Sequence, residues 1–246
     1  RRAAWKAINE TAETKYMHTP GGNQMKTITS QILLLALLSA SSQAEGQATP
    51  DTTFNLSLLA RGEMWAVFNR AVTTAEDGQN KGIYLNEKAG QGVAWLPSFE
   101  IGDGVIEVDV KGRNEPGRSF VGIAFHGVNA ENYEAVYLRP FNFRSESEES
   151  RSHSVQYVLV PSHEWRRLRT EHPGQYEAAI ASPPAPDAWV HLRLELDGPT
   201  VRVFIDRASE PALVIDRISA VGKGWIGLWV GHGSDGIFAN LKVSPR

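Results

Sequence analysis

From residue 82 onward, apolar and polar positions alternate in short runs that are separated by turn residues. The runs span 82–87, 104–110, 119–127, 133–141, 153–160, 189–198, 200–206, 211–216, 225–231 and 237–245. Gly, Pro, Asn and Asp cluster between the runs, and the sequence shows no heptads or internal repeats. Successive side chains of a strand point to opposite faces, so period-two runs of this kind predict an all-β, antiparallel two-sheet sandwich or a barrel.

Two neighbouring runs indicate how such a sheet is built. Along residues 190–196, valine and leucine occupy every second position and face the core, whereas histidine, arginine and glutamate lie between them. Asp197 and Gly198 then form the turn of a hairpin, whose second strand continues the apolar face. The one helix that the pattern predicts is short, at 162–171, and it ends before Pro173.

The N-terminal region indicates export. A methionine at position 25 is followed by one lysine, an apolar core over 32–38 and small residues at 42 and 44. This order is typical of a secretory signal peptide, and its apolar core is too short to span a bilayer. We expect 25–44 to be a signal peptide and 45–246 to be a single β-sandwich domain. Residues 1–24, which begin with arginine, are expected to be an over-extended reading frame or a cloning remnant outside the native product.

Composition narrows the classes of function. The 25 lysines and arginines nearly balance the 28 aspartates and glutamates. The chain therefore lacks the concentrated positive field on which non-specific nucleic-acid binding depends, and we expect no nucleic-acid partner. There is no cysteine, so neither disulfides nor a cysteine-linked lipid anchor are expected. No second long apolar run follows the signal, which predicts a bacterial protein without a membrane span, either secreted or periplasmic.

Residues 132–144, NYEAVYLRPFNFR, combine a strand pattern with side chains suited to binding. Alternation places Tyr137 and Arg139 opposite the intervening valine and leucine, which we interpret as core, so the tyrosine and the arginine should face solvent. Asn142 follows them. Aromatic rings pack on the apolar faces of sugars, and Arg, Asn and Gln hydrogen-bond to hydroxyl groups. The stretch therefore indicates a carbohydrate surface, with cross-strand aromatic packing and a surface salt bridge as the alternative.

Neighbouring strands offer further contacts for this surface. On strand 153–160, either Gln156 or Tyr157 would reach a ligand, depending on which alternate set of residues is core. Trp229 alternates with apolar residues of the run 225–231 and would lie on the face of the predicted tyrosine. Burial of the tryptophan between the sheets is the alternative.

The predicted helix supplies a candidate wall for the site. Trp165 and Arg169 stand four residues apart, so they share one helix face and could close one end of a groove. The alternative is that Trp165 packs the helix onto the sheet.

Four segments resemble the concanavalin A-like lectin/glucanase superfamily, in particular its laminin-G-like and 3-keto-disaccharide hydrolase-like exported domains. They are GVAWLPSFEIGDGVIEVDVKG (92–112), SFVGIAFHGVNAENYEAVYLRPFNFR (119–144), DAWVHLRLELDGPTVRVFIDRASEPALVID (187–216) and GKGWIGLWVGHGSDGIFANLKV (222–243). The resemblance implies a jelly-roll sandwich in which the outward side of the larger sheet is concave and binds glycans. It does not fix an activity, since one such fold hosts lectins, hydrolases, lyases and adhesion modules.

The resemblance raises the question of catalysis at Glu107 and Asp109. Sandwich endo-glucanases carry their nucleophile and acid/base in an E-x-D-x-x-E pattern, and these two residues match its first two acidic positions. The third falls on Gly112. A double-displacement mechanism needs two carboxyl groups about 5 Å apart, so it is not predicted here. Glu107 and Asp109 remain candidates for polar contacts on the concave face, or are solvated strand residues.

Three other positions complete the candidate chemistry. His126 and His232 follow predicted strands, and with Glu107 they are the candidates for proton transfer; the alternative for both histidines is an ordinary loop role. No two of the seven histidines have zinc-binding spacing. Asp235 could belong to a calcium site or simply to a turn. We expect no metal or cofactor, with calcium as the one ion left open.

The sequence thus predicts an exported β-sandwich that binds a polysaccharide or oligosaccharide on its concave sheet. One alternative is an enzyme that cleaves a glycoside, of the 3-keto-disaccharide hydrolase-like type, and another is a structural or adhesion domain. A hydrolase needs a pocket with a perturbed acid or base, whereas a lectin needs only a shallow aromatic groove.

Overall fold

The computed structural model describes residues 50–61 and 65–246, and it shows two antiparallel β-sheets packed face to face. The predicted signal peptide and the segment before it lie outside the described residues. The strands are β1 (Thr52–Thr53), β2 (Ala66–Phe68), β3 (Val72–Asp77), β4 (Asn80–Lys88), β5 (Gly92–Ile101), β6 (Gly104–Lys111), β7 (Val121–Asn129), β8 (Asn132–Leu138), β9 (Val155–Val160), β10 (Glu177–Ala178), β11 (Val190–Asp197), β12 (Thr200–Ile205), β13 (Leu213–Asp216), β14 (Gly224–Val230) and β15 (Ser234–Pro245). The sandwich that the alternating runs predicted is confirmed.

Eight strands form one sheet, which we call the eight-stranded sheet. Its order is β13-β12-β11-β6-β15-β4-β3, with β1 paired to β15. The hairpin predicted at Asp197 and Gly198 joins β11 to β12, and Leu194 of β11 lies opposite Ile106 of β6. The apolar positions of β11 are buried and those between them are partly exposed, so this sheet is packed on one face only.

The seven-stranded sheet has the order β10-β9-β8-β7-β14-β5-β2. It holds every strand on which the candidate aromatic residues lie. Its inward face contributes apolar side chains such as Ile123, Val136 and Leu228, which are completely buried against the other sheet. Burial of each such side chain stabilises the fold by roughly 1.5–3 kcal/mol.

Three short helices and one turn lie outside the sheets. They are α1 (Leu56–Leu59), α2 (Glu148–Ser152), α3 (Trp165–Glu171) and a 3₁₀ turn at Pro140–Asn142. The predicted helix at 162–171 is thus present as α3, whereas α2 lies in a stretch whose polar sequence gave no helical pattern. The side chain of Ser147 caps α2 by accepting from the Ser150 amide, which explains why the helix begins there.

Two details of the strands differ from the prediction. The run 133–141 is interrupted, because β8 ends at Leu138 and Pro140 opens the 3₁₀ turn. Proline cannot donate to a neighbouring strand, which accounts for the early end. His126 lies inside β7 rather than at its exit, at a position with φ 48° where the pairing of β7 with β8 shifts register. Among the described residues, no helix has the length and apolarity needed to cross a membrane.

Candidate functional site

A pocket of about 340 Å³ lies on the outward face of the seven-stranded sheet. Its floor consists of side chains from β8, β9 and β14, namely Tyr137, Val158 and Trp229. Its walls come from the segment 140–153 and from α3. The resemblance implied a site on the larger sheet, but this pocket lies on the smaller of the two.

The floor depends on a glycine between two aromatic residues. Tyr137 lies opposite Gly122 of β7, and Gly122 in turn lies opposite Trp229 of β14. The two rings stack with their centroids 4.7 Å apart and an interplanar angle of 26°. A Cβ atom on Gly122 would lie 2.1 Å from the carbonyl oxygen of Val136 and 2.8 Å from the Tyr137 Cβ, so only glycine fits between the rings.

Tyr137 and Arg139 were predicted to face solvent, and this prediction was wrong. The two side chains lie on the outward face of the sheet, but the residues are only 3% and 5% exposed. The reason is that the segment 140–153 and α3 cover this part of the sheet, with Phe141 and Trp165 among the covering residues. Burial raises the pKa of Tyr137 to about 12, so its hydroxyl is protonated at neutral pH.

Arg139 organises the polar side of the pocket. It donates from Nη1 to the His153 carbonyl oxygen at 2.7 Å, and from Nη2 to Tyr137 Oη at 2.9 Å and Gln156 Oε1 at 3.1 Å. Gln156 is itself buried, and its amide group donates to the carbonyl oxygens of Tyr157 and Tyr176. Gln156 was predicted as a ligand contact, but the structure makes it a support for Arg139 instead.

A buried carboxylate, Glu177, lies beneath this arginine and has no counterpart among the predicted site residues. Arg169 donates to it with Nε and Nη2 at 3.0 and 2.7 Å, and His153 Nδ1 lies 2.9 Å away. Burial lowers the pKa of His153 despite this carboxylate, which favours the neutral imidazole. Glu177 is separated from the predicted site in sequence and reaches it through β10, a strand of two residues that pairs with β9.

Trp165 forms the exposed edge of the pocket, and it is 37% exposed. The interpretation that it packs α3 onto the sheet is wrong, since Leu168 is the buried residue of this helix. Arg169 lies over the Trp165 ring at 5.1 Å and Arg166 at 5.3 Å. The indole and Arg169 therefore share one helix face, as their spacing predicted.

Gln91 connects the edge of the pocket to its floor, and sequence analysis did not select it. Its Oε1 accepts from Tyr133 Oη at 2.9 Å and from Trp229 Nε1 at 3.2 Å, while its Nε2 donates to Glu164 Oε1 at 2.8 Å. The Trp229 indole is thus held both by stacking and by a hydrogen bond. A glutamine in a loop before a strand gives no local signal of such a role.

His232 and Asn142 line the mouth and one wall of the pocket. The Gly90 amide donates to His232 Nδ1 at 3.0 Å, so the neutral ring carries its proton on Nε2. Asn142 Nδ2 donates weakly to the His153 carbonyl oxygen at 3.4 Å, which leaves its Oδ1 as an acceptor. Both residues were predicted candidates, His232 for proton transfer and Asn142 for binding.

Glu107 and Asp109 do not line this pocket, although they were predicted to share one binding face with Tyr137. They lie on β6 of the eight-stranded sheet, on its solvent-facing side. Asp109 Oδ1 lies 2.7 Å from His191 Nδ1, and Asp109 Oδ2 accepts from Asn240 at 2.6 Å. Glu107 lies 3.9 Å from the amino group of Lys242. These residues form a partly exposed polar cluster.

His126 and Tyr157 belong to a buried polar network between the sheets. His126 Nδ1 lies 2.9 Å from Glu134 Oε1, and Tyr157 donates to Glu134 Oε2 at 2.6 Å. Arg217, just after β13, donates to Glu134 Oε1 at 2.9 Å and to His126 Nδ1 at 2.7 Å. Tyr157 therefore lies on the opposite side of β9 from the pocket. Its prediction as a ligand contact in this pocket was wrong. The signal that was missed is Glu134, an ionisable residue at a core position of its strand.

The catalytic and metal candidates do not assemble into a site. Glu107, His126 and His232 lie on the eight-stranded sheet, in the buried network and at the pocket mouth, respectively. Asp235 is paired with Arg113 at 2.8 Å and accepts from the Tyr84 hydroxyl at 3.0 Å, which matches a structural role. Within residues 50–61 and 65–246, no group of three or more His, Cys, Asp or Glu side chains could hold a metal ion.

Comparison with known proteins identifies the class of fold. No family model matches the chain, and no curated protein matches its sequence. Among solved structures, a carbohydrate-binding module of class CBM66 from Bacillus subtilis is similar, with a TM-score of 0.50 and 18% identity over 74% of this chain and 96% of that one. A Bacillus subtilis protein of unknown function with a galectin-like fold has a TM-score of 0.54 and 15% identity, over 81% and 99% of the two chains.

A third solved structure, described as a candidate glycosyl hydrolase from Parabacteroides distasonis, has a TM-score of 0.50 and 14% identity, over 79% of this chain and all of that one. At these identities the likeness establishes the fold and no more. The protein therefore has an antiparallel two-sheet jelly-roll sandwich like those of these lectin-like structures.

Proposed function

We propose that this protein binds carbohydrate in the pocket on the outward face of the seven-stranded sheet. The observation that carries the proposal is the aromatic floor of stacked Tyr137 and Trp229, beside an exposed Trp165 and hydrogen-bonding groups at one site. Aromatic faces pack against the C–H faces of sugar rings, and guanidinium and amide groups hydrogen-bond to hydroxyls. The pocket offers both kinds of contact within one small volume.

The dimensions of the pocket support a short segment of glycan. Its volume of about 340 Å³ lies at the lower end of the range typical of small-molecule sites. The groups proposed to contact the sugar are Trp165 at the edge, Arg139 and Asn142 at the wall, and Nε2 of His232 at the mouth. Arg169 contributes mainly by holding the Trp165 ring.

The chemistry of the pocket favours binding over cleavage. Among the described residues, Glu164 is the only carboxylate that lines it, and its Oε1 accepts from Gln91. Glycoside hydrolysis in most families needs two carboxyl groups flanking the scissile bond. A binding protein needs no such pair.

The solved structures and the sequence support this proposal at a coarser level. One similar structure is a carbohydrate-binding module by name, and another has a galectin-like fold. We further propose that the protein is an exported domain, in keeping with the signal-peptide pattern at 25–44. We also propose that it belongs to the concanavalin A-like superfamily, whose laminin-G-like and 3-keto-disaccharide hydrolase-like domains its sequence resembles.

A glycan-array screen on the purified protein tests the proposal, and a turnover assay on each hit separates binding from cleavage. We expect binding to at least one class of glycan and no release of sugar from it. A blank array would refute carbohydrate binding, and sugar release from a hit would show that the protein is an enzyme. Competition between each hit and its free oligosaccharide would establish that binding is specific.

A further inference from the structure

Arg139 is a buried cation whose hydrogen-bond partners are all neutral. Its side chain is 7% exposed, and its three recorded acceptors are a carbonyl, a phenol and an amide oxygen. A buried charge is normally compensated by an ion pair with good hydrogen-bond geometry. Burial lowers the pKa of Arg139, and the positive charge of Arg169 lowers it further, which reflects the cost of this arrangement.

The one carboxylate near Arg139 in the described part of the chain is already occupied. Glu177 Oε2 lies 4.0 Å from Arg139 Nη1, beyond hydrogen-bonding distance. The same carboxylate accepts three hydrogen bonds from Arg169 and contacts His153 at 2.9 Å. Two guanidinium groups thus share one carboxylate, and the wall of the pocket carries one uncompensated positive charge.

The acidic residue at the rim does not offset this charge effectively. Glu164 is exposed, where solvent and salt screen its field, and its Oε1 accepts from Gln91. His153 contributes no negative charge and is kept neutral by burial. An anion that entered the pocket would therefore meet a charge that the protein itself leaves unpaired.

We infer that the pocket selects a sugar bearing an anionic group, a carboxylate or a sulfate, which lies against Arg139. The inference rests on the proposed carbohydrate binding and adds the charge of the ligand. The three hydrogen bonds of Arg139 use both N–H groups of Nη2 and one of Nη1. The N–H of Nε and the second N–H of Nη1 remain for the ligand. A charge-assisted contact of this kind is stronger than one to a hydroxyl group and is enhanced by the buried surroundings.

The test compares matched ligands that differ only in charge. Methyl glycosides of glucose, galactose and mannose are titrated calorimetrically against the corresponding uronates and uronamides, and against the 6-sulfates. We expect the uronate or the 6-sulfate of at least one configuration to bind about tenfold or more tightly than its neutral partners. The two acidic forms identify which anionic group is recognised. Raising the ionic strength to about 0.15 M should reduce the preference only in part, because the cation is buried.

Variants connect the preference to this arginine. Arg139→Gln should reduce the ratio of the uronate affinity to the uronamide affinity to about one, because glutamine keeps hydrogen-bonding capacity without charge. Since Arg139 is also a proposed contact of the sugar, the affinity for the neutral ligand should fall as well. Arg144→Gln is the matched control, since Arg144 is exposed and donates only to the Pro183 carbonyl oxygen. It should leave the ratio unchanged. Should Arg139→Gln fail to fold, the comparison of uronate with uronamide on the unaltered protein still decides the question.

The possible failures are distinguishable. Equal affinity for uronate, uronamide and neutral sugar in every configuration, with no preference for the 6-sulfates, would overturn the inference and leave carbohydrate binding intact. A preference that persists in Arg139→Gln would place the anion elsewhere and would also overturn it. If no ligand binds and the glycan array is blank, the proposed function itself is wrong and the inference fails with it.

Discussion

The rings of Tyr137 and Trp229 lie on strands separated by one intervening strand, yet they stack at 4.7 Å because the residue between them is glycine. Each residue is almost completely buried although it lines the pocket. The floor of the proposed binding site is therefore also part of the packed interior.

Replacement of Tyr137 by alanine should consequently destabilise the fold. Truncation of a buried aromatic residue lowers the free energy of unfolding by roughly 3–5 kcal/mol, because it removes apolar contact and leaves a cavity. Denaturant unfolding measures this change. Tyr137→Phe is the control: it keeps the ring and loses only the hydroxyl that accepts from Arg139, at a cost of about 1–3 kcal/mol. An alanine variant within about 0.5 kcal/mol of the unaltered protein would show that the ring is not buried.

Replacement of Trp165 by alanine should affect glycan binding more than stability. The side chain is partly exposed at the pocket edge, so its loss should lower the free energy of unfolding by much less than the roughly 3–5 kcal/mol expected for Tyr137→Ala. Loss of a stacking surface worth roughly 0.5–1.5 kcal/mol should weaken glycan binding several-fold. Titration of a glycan identified on the array provides the measurement. Val214→Ala, at an exposed position on β13 of the other sheet, is the control and should change neither the free energy of unfolding nor the glycan affinity. An unchanged affinity in Trp165→Ala would show that Trp165 does not contact the glycan.

Alternation along the chain was sufficient to predict the sandwich, and it placed Tyr137 and Trp229 on a common face. It could not show that this face is covered, because the cover comes from α3 and from residues 140–153, whose sequences carry no signal of where they fold back. The prediction that Arg139 faces solvent was wrong for the same reason. Burial depends on distant segments, whereas alternation is a local property.

The separation of Glu107 and Asp109 from Tyr137 has a different origin. Alternation correctly separated them from the core residues of β6, but a strand pattern does not reveal which sheet the strand joins. A local pattern also cannot show that residues distant in sequence come together. His126, Glu134 and Arg217 form one network although His126 and Arg217 are 91 residues apart. Only Glu134 gave a local hint, as a charged residue among apolar core positions.

The buried network between the sheets should respond strongly to the loss of one partner. Arg217→Met removes the cation from Glu134, which is completely buried, and should lower the free energy of unfolding by roughly 3–5 kcal/mol. The double variant Glu134→Leu/Arg217→Met should recover part of this loss, because no unpaired charge remains. Thermal and denaturant unfolding of the two single variants and the double variant form a complete cycle. Strictly additive effects would show that the two residues do not interact.

The pair of Asp109 and His191 should make stability depend on pH. The hydrogen bond to Asp109 raises the pKa of His191, with Glu107 adding to the effect. Burial opposes ionisation of Asp109, but hydrogen bonds from His191 and Asn240 lower the pKa of this carboxyl group. The histidine contribution is complete below its usual pKa of about 6.5 and is lost as the pH rises through the raised value. The aspartate contribution is present above its usual pKa of about 3.9 and is lost as the pH falls through the lowered value.

His191→Gln tests this dependence. The difference in free energy of unfolding between the unaltered protein and the variant should be larger at about pH 5 than at about pH 9, where the unaltered histidine is neutral. Lys242 and Arg207 lie close to the two carboxylates and remain charged over this range, so they do not account for a change. An equal difference at both pH values would contradict the pairing.

The signal-peptide hypothesis predicts a defined product. If residues 25–44 direct export, the mature protein should begin near Glu45, after the small residues at positions 42 and 44. N-terminal sequencing of the protein recovered from outside the cytoplasm, with an intracellular fraction for comparison, gives the answer. Recovery of residues 1–24 on the exported form would refute the hypothesis.

The shared use of Tyr137 and Trp229 for packing and for the pocket floor also constrains how this protein can diverge over generations. Selection for a stable product alone is enough to retain the two rings, even in a lineage that changes its sugar. The exposed pocket residues at the start of α3 are under no such double selection, so new specificities should arise there first. A library randomised at Trp165 and Glu164, which are both exposed at the pocket edge, would leave the floor intact and keep most of its members folded and available for selection on new ligands.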